Sequence, residues 1–233
     1  MRERLKAGIL ATLLLLFGTA DAASADRHPL PRGFVYLDEA IPDLVVELRY
    51  FGSDNFVGRP VDGYRHPFPV LTAQAAKALA SVQEALRPFG LGLKIFDSYR
   101  PQRAVDHFVR WAKDLKDEKT KAKYYPDVAK KDLFKDGYIA AKSSHSRGST
   151  VDLTIVYKDK DGRAHELDMG SPFDFFSPIS WPTSTAVTMQ QRANRALLDA
   201  VMTEHGFAPY PQEWWHFTLK NEPFPKTYFD FPL

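Results

Sequence analysis

The chain has 233 residues, 44% hydrophobic and 26% charged, with a formal net charge of +2 and no cysteine. That length and composition suit one solid hydrophobic core. The small charge, with no basic run interleaved with aromatics, argues against nucleic acid as a partner, and a chain without cysteine forms no disulfide and carries no lipid on a cysteine.

Arg2, Arg4 and Lys6 precede an apolar run from Ala7 to Phe17, and Ala20-Asp21-Ala22 and Ala23-Ser24-Ala25 each give a small-x-small pattern. This order reads as a signal peptide, residues 1–22, cleaved between 22 and 25. The run is too short to span a bilayer comfortably. The expected product is therefore exported, to the periplasm or beyond, without a stable membrane anchor.

The remainder, 26–233, shows no repeat and no Ser/Gly linker and reads as one domain. Thr72 caps a predicted helix to about Arg87, with Ala75, Leu79, Val82 and Leu86 on one stripe and Pro88 and Gly90 ending it. Residues 91–99 read as a strand, with Leu91, Leu93 and Ile95 alternating. Pro101 opens a helix that points Val105, Phe108, Trp111 and Leu115 inward. Residues 116–136, dense in Lys and Asp, read as a surface excursion. A strand is expected over 151–157. Thr188 with Gln191 forms a capping box for a helix to His205, stopped by Gly206, and 214–219 reads as an aromatic strand. Helices fall in separate blocks without a βαβ rhythm, which favours an α+β fold.

Two segments carry chemistry: Ser143-Ser144-His145-Ser146-Arg147-Gly148-Ser149-Thr150-Val151-Asp152 and Glu213-Trp214-Trp215-His216. His145, Asp152 and His216 offer two imidazoles and one carboxylate. Three protein ligands leave an open position on a tetrahedral zinc, the pattern of a catalytic site. Glu213 is then free to act as base toward water. On one continuous strand, the offset between His145 and Asp152 would turn them to opposite faces, so Gly148 is expected to provide a turn or bulge. Taken alone, that pair equally fits a loop histidine and a strand-end cap. Glu213 and His216 become neighbours if the chain takes a helical turn; the plainer alternative is that both decorate a strand edge. Arg100, at a strand end, suits either a surface ion pair or an oxyanion partner. The other five histidines read as solvated or core-edge residues, and neither Ser143 nor Ser144 sits in a nucleophile elbow.

The pattern Ser-x-His-x-x-Gly-x-x-x-Asp at 143–152 with Glu-x-x-His at 213–216 resembles the zinc D-alanyl-D-alanine dipeptidases, the group that contains VanX. Leu48-Arg49-Tyr50, Asp54-Asn55-Phe56, Gly63-Tyr64, Asp97-Ser98-Tyr99-Arg100-Pro101, Met169-Gly170-Ser171, Phe173-Asp174-Phe175 and Tyr228-Phe229-Asp230-Phe231-Pro232 extend the likeness in family order. The resemblance implies a compact α+β D,D-peptidase fold, shared with Hedgehog-type domains, with an antiparallel sheet flanked by helices. It implies one zinc per chain on His145, Asp152 and His216, with Glu213 as base and Arg100 stabilising the tetrahedral intermediate. Asp174 would hold the substrate ammonium, and Ser143 would help hold the carboxylate of a small D,D-dipeptide. The export signal departs from the cytoplasmic resistance enzymes and points instead to D-alanine salvage from wall fragments. Two alternatives stand beside a dipeptidase: a D,D-carboxypeptidase or endopeptidase trimming longer wall peptides, and a non-catalytic wall-binding module. An intact Glu213 argues against the second.

Overall fold

Why Asp152 and His216 become neighbours follows from strand pairing in the computed structural model, which describes residues 27–233. The expected signal segment 1–22 lies outside the described residues; Arg32–Leu233 forms one compact unit. In chain order its elements are β1 (Phe34–Tyr36), α1 (Leu37–Ala40), β2 (Val45–Val46), β3 (Val70–Thr72), α2 (Ala73–Leu86), β4 (Leu91–Asp97), α3 (Gln102–Lys113), α4 (Lys121–Tyr124), β5 (Thr150–Lys158), β6 (Ala164–Glu166), α5 (Met189–Glu204), β7 (Phe207–Tyr210) and β8 (Glu213–Leu219). The main sheet runs β2-β4-β5-β8-β7, with β6 also on β5, and β1 pairs β3 separately. Every pair is antiparallel except β2–β4, which is parallel. The expected α+β architecture is what forms.

The helices follow their sequence signals closely. Thr72 Oγ1 accepts from the Ala75 N–H at the start of α2, and Leu79, Val82 and Leu86 on its inner face are at most 2% exposed. Burying each such side chain contributes about 1.5–3 kcal/mol before ordering costs. The capping box of α5 is complete: Gln191 N–H donates to Thr188 Oγ1, and the Gln191 side chain accepts from the Thr188 N–H.

Two expectations need correction. Helix α3 stops at Lys113, because Asp114 leaves helical geometry, so Leu115 is 54% exposed rather than facing the core. The stretch 116–136 is also more than a surface excursion. Tyr124, Tyr125, Lys130 and Leu133 are buried, and the Lys130 ammonium lies 4.0 Å from the Trp111 ring centre while donating to the Asp117 carbonyl at 2.5 Å. They are spread over one turn of helix, a 3-10 turn and the loop between them, so no sustained period revealed them.

Candidate active site

Three adjacent strands align three polar side chains. Asp152 on β5 stands opposite His216 on β8 and opposite Asp97 on β4, the latter pairing reached through an irregularity after Ile95. His145 joins them from a 3-10 turn, Ser144–Arg147, capped by Ser143 and closed by Gly148 in left-handed geometry at φ 83°. Only glycine fits there, since a Cβ would come within 2.2 Å of Phe34 Cε1. The reversal expected at Gly148 is therefore a helical turn ahead of the strand, not a bulge within it. Glu213 and His216 both lie on β8, so it is not a helical turn that makes them neighbours. Residues three apart on a regular strand face apart, but the β7–β8 register shifts between Pro209 and Tyr210. The start of β8 thereby swings Glu213 Oε2 to 3.5 Å from His216 Nδ1.

The donor atoms converge. His145 Nε2 lies 3.2 Å from Asp152 Oδ2 and 3.3 Å from His216 Nδ1, and His216 Nδ1 lies 3.0 Å from Asp152 Oδ1. His145 Nδ1 lies 2.7 Å from the Ser98 carbonyl. A carbonyl only accepts, so the proton sits on Nδ1 and the Nε2 lone pair faces the cluster. His216 Nε2 is turned to Ser144 Oγ at 3.3 Å. Although Asp152 Oδ1 is close to His216 Nδ1, its geometry makes no hydrogen bond, and the atom is buried without a partner. Such a carboxylate oxygen is expensive unless something else binds it. Two imidazoles and a carboxylate aimed at one point are a donor set for a zinc-like cation.

The Arg100 side chain is 12% exposed and faces the site, so it is not the surface ion pair that its position also allowed. Its Nε–H donates to Asp97 Oδ2 at 2.9 Å, its Nη2 reaches Asp97 Oδ2 at 2.8 Å and Asp152 Oδ2 at 3.4 Å, and it sits 4.9 Å from the Tyr50 ring centre and 5.1 Å from that of Phe108. Asp97, wholly buried, also accepts from Tyr64 O–H at 2.7 Å. Asp174, 4% exposed, accepts from Tyr50 O–H at 2.9 Å. It is the one non-glycine residue with positive φ, 59°, among the described residues. Burial first, then the charges of Asp152 and Glu213, pushes its carboxyl well above the ordinary range against the pull of Tyr50 and Arg100. Burial likewise raises Glu213 to about 7, Asp152 adding to the rise while His216 and Arg100 oppose it.

Arg100, Asp152, Asp174, Glu213, His216 and Ser143 all line one cavity of about 370 Å³, walled also by Tyr50, Phe56, Phe108, Tyr138, Phe176 and Tyr210. The site residues expected from sequence are thus in one place. Tyr50, Tyr64 and Asp97 went unassigned. Asp97 had a weak local signal, an acid ending an apolar strand three residues before Arg100. Tyr50 had none, being 124 positions from Asp174.

Residues 31–233 match the family model described as D-ala-D-ala dipeptidase, of the M15 peptidases. A D-alanyl-D-alanine dipeptidase of Streptomyces coelicolor is 44% identical over 200 residues, covering 86% of this chain and 98% of that protein. One of Enterococcus faecalis is 42% identical over 204 residues, 88% of this chain and all of that protein. Among solved structures, the D,D-pentapeptidase VanY of a VanB-type resistance cassette aligns over 69% of this chain and 78% of its own, at 15% identity and TM-score 0.41, too distant to add to the reading. Fold and site define a metallopeptidase. The chain belongs to the D-Ala-D-Ala dipeptidase family.

Proposed function

We propose that this protein hydrolyses the D-alanyl-D-alanine dipeptide to two D-alanines, with one zinc held by His145, Asp152 and His216. The observation that carries the reading is the convergence of those three donors, one carboxylate oxygen left without a hydrogen bond, with Asp152 and His216 lining the cavity that also holds Glu213 and Asp174. When bound, the metal supplies Lewis acidity toward water and the peptide carbonyl.

Glu213, raised by burial to about 7, is suited to take a proton from the attacking water and return it to the leaving amine as the C–O bond forms and the C–N bond breaks. Arg100, already aligned by Asp97, can donate an N–H to the carbonyl oxygen as it gains charge. Asp174 and Tyr50 form the end of the cavity suited to the substrate ammonium, whose arrival compensates the buried carboxylate. Ser143 Oγ accepts from the His145 N–H at 3.3 Å, which leaves its hydroxyl hydrogen for the substrate carboxylate.

The basic, apolar, small-x-small order of residues 1–25 supports export to the periplasm or beyond. There the substrate would be dipeptide released from peptidoglycan, and the role turnover of wall peptides or D-alanine salvage. Mass spectrometry of the natural product checks this: a start near Ala23 or Asp26 supports export, and an intact Met1 on cytoplasmic protein refutes it.

Comparing turnover of D-Ala-D-Ala with that of N-acetyl-D-Ala-D-Ala tests the substrate. Acetylation removes the charge that Asp174 would pair with, and only the free dipeptide should be cleaved. Equal rates would move the protein to the carboxypeptidase reading.

A further inference from the structure

Asp174 rides on the loop between β6 and α5, where only Pro178–Ser180 forms a 3-10 turn. Its backbone occupies a sparsely populated region, so something must hold it there.

Arg195 of α5 is the side chain buried beneath this loop, at 4% exposure. Its Nε–H donates to the Met169 carbonyl at 2.6 Å, its Nη1 to the carbonyls of Ile179 and Trp181 at 2.9 Å each, and its Nη2 to Ser171 Oγ at 3.3 Å. None of the four acceptors is a carboxylate, an unusual setting for a buried guanidinium.

The Ser171 hydroxyl extends the contact. It accepts from Arg195 and from Trp214 Nε1–H at 3.0 Å, which uses both of its lone pairs. Its own hydrogen then goes to Ser180 Oγ at 3.0 Å, and Ser180 O–H donates to the Phe175 carbonyl at 2.6 Å. The chain of donors runs from Arg195 to the carbonyl of Phe175, the residue after Asp174. Through Trp214 it also reaches the residue after Glu213.

We propose that Arg195, acting through Ser171 and Ser180, is a positioning residue for the substrate-ammonium subsite, fixing the Asp174 carboxylate where the dipeptide amine arrives. The inference rests on the reading of Asp174 as the ammonium partner. A planar fork serves four acceptors on both sides of the loop, and a lysine point charge does not.

The test compares D-Ala-D-Ala with its des-amino analogue propionyl-D-alanine on the zinc-loaded enzyme, read as the ratio of the two kcat/KM values. R195K and S180A should each lower that ratio by at least about tenfold, the loss of one well-aligned charged contact. The change should fall mainly in KM for the dipeptide, with bound zinc unchanged. If both substrates decline in parallel and the ratio stays at the wild-type value, Arg195 is only a structural support and the proposal fails. Should R195K not fold, S180A decides alone, since it deletes a single hydroxyl from the relay. Failure of the underlying reading looks different: the wild-type ratio would itself be near one, or D174N would leave it unchanged.

Discussion

Asp152 and His216 are held opposite each other by the backbone ladder of β5 and β8, whereas Asp174 sits, with a strained backbone, on a loop held by side chains of α5. A ladder sets register once the apolar faces are buried, and little can slide. A loop secured by a few side-chain hydrogen bonds can be retuned by one substitution. The groups suited to bond cleavage therefore lie on or beside the rigid sheet, and the group suited to choosing the substrate lies on the adaptable part. Changes in the strand region should appear in kcat, and changes in the loop region in KM and in selectivity.

The largest effect is expected from Glu213→Ala, which should keep its metal and lose turnover by about 10²–10⁴-fold. A variant that loses metal but keeps its rate per bound ion would make Glu213 a ligand instead. Arg100→Ala should lower kcat by about 10²–10³-fold with little change in KM. Arg100→Lys should recover little of this, because Nε and Nη2 both address Asp97 and lysine has no fork. A pure KM effect would place Arg100 with Asp174 and blur the division.

Asp174→Asn should act in the opposite manner, raising KM for D-Ala-D-Ala by about 10- to 100-fold, as expected for a lost charge-assisted contact, with kcat changed less. Its pH behaviour sharpens the point. The folded-state pKa of Asp174 lies above its ordinary value, because of burial and the nearby charges of Asp152 and Glu213. An acid shifted upward loses stability as pH rises from its unfolded pKa to its folded one. Without substrate at neutral pH, D174N should thus melt higher than wild type, and the difference should vanish below about pH 4. In wild type, KM should fall as pH rises through the Asp174 titration; in D174N that limb should be missing. A lower melting temperature for D174N would mean that Asp174 is a structural residue.

The smallest effect is expected at Thr188, where the loop carrying Asp174 enters α5. Thr188→Ala removes half of the α5 capping box and should cost about 1 kcal/mol in thermal unfolding, with kcat unchanged.

The sequence disclosed the strand region better than the loop, for a physical reason. His145, Asp152, Glu213 and His216 lie in two short segments whose residue types are costly to bury without a purpose; alternation gave β5, which carries Asp152, and an aromatic run gave the strand that carries His216. What it could not disclose depends on distance along the chain or on irregular backbone. Tyr50 meets Asp174 across 124 positions, and the swing of Glu213 toward His216 comes from a register shift in β7–β8 that no residue pattern announces. The buried Tyr124, Tyr125 and Lys130 hid in a stretch whose charge density resembled a solvated surface. Asp174 was found through a resemblance alone, since an acid between two phenylalanines also reads as structure.

The most direct test of the account is diffraction from crystals of the active enzyme at the zinc absorption edge. The account predicts one anomalous peak per chain, in contact with His145 Nε2, Asp152 and His216 Nδ1 and with Glu213 outside the coordination sphere, together with loss of activity on chelation and recovery on zinc addition. Fully active crystals without that peak, or with metal bound through Glu213 in place of Asp152, would contradict it.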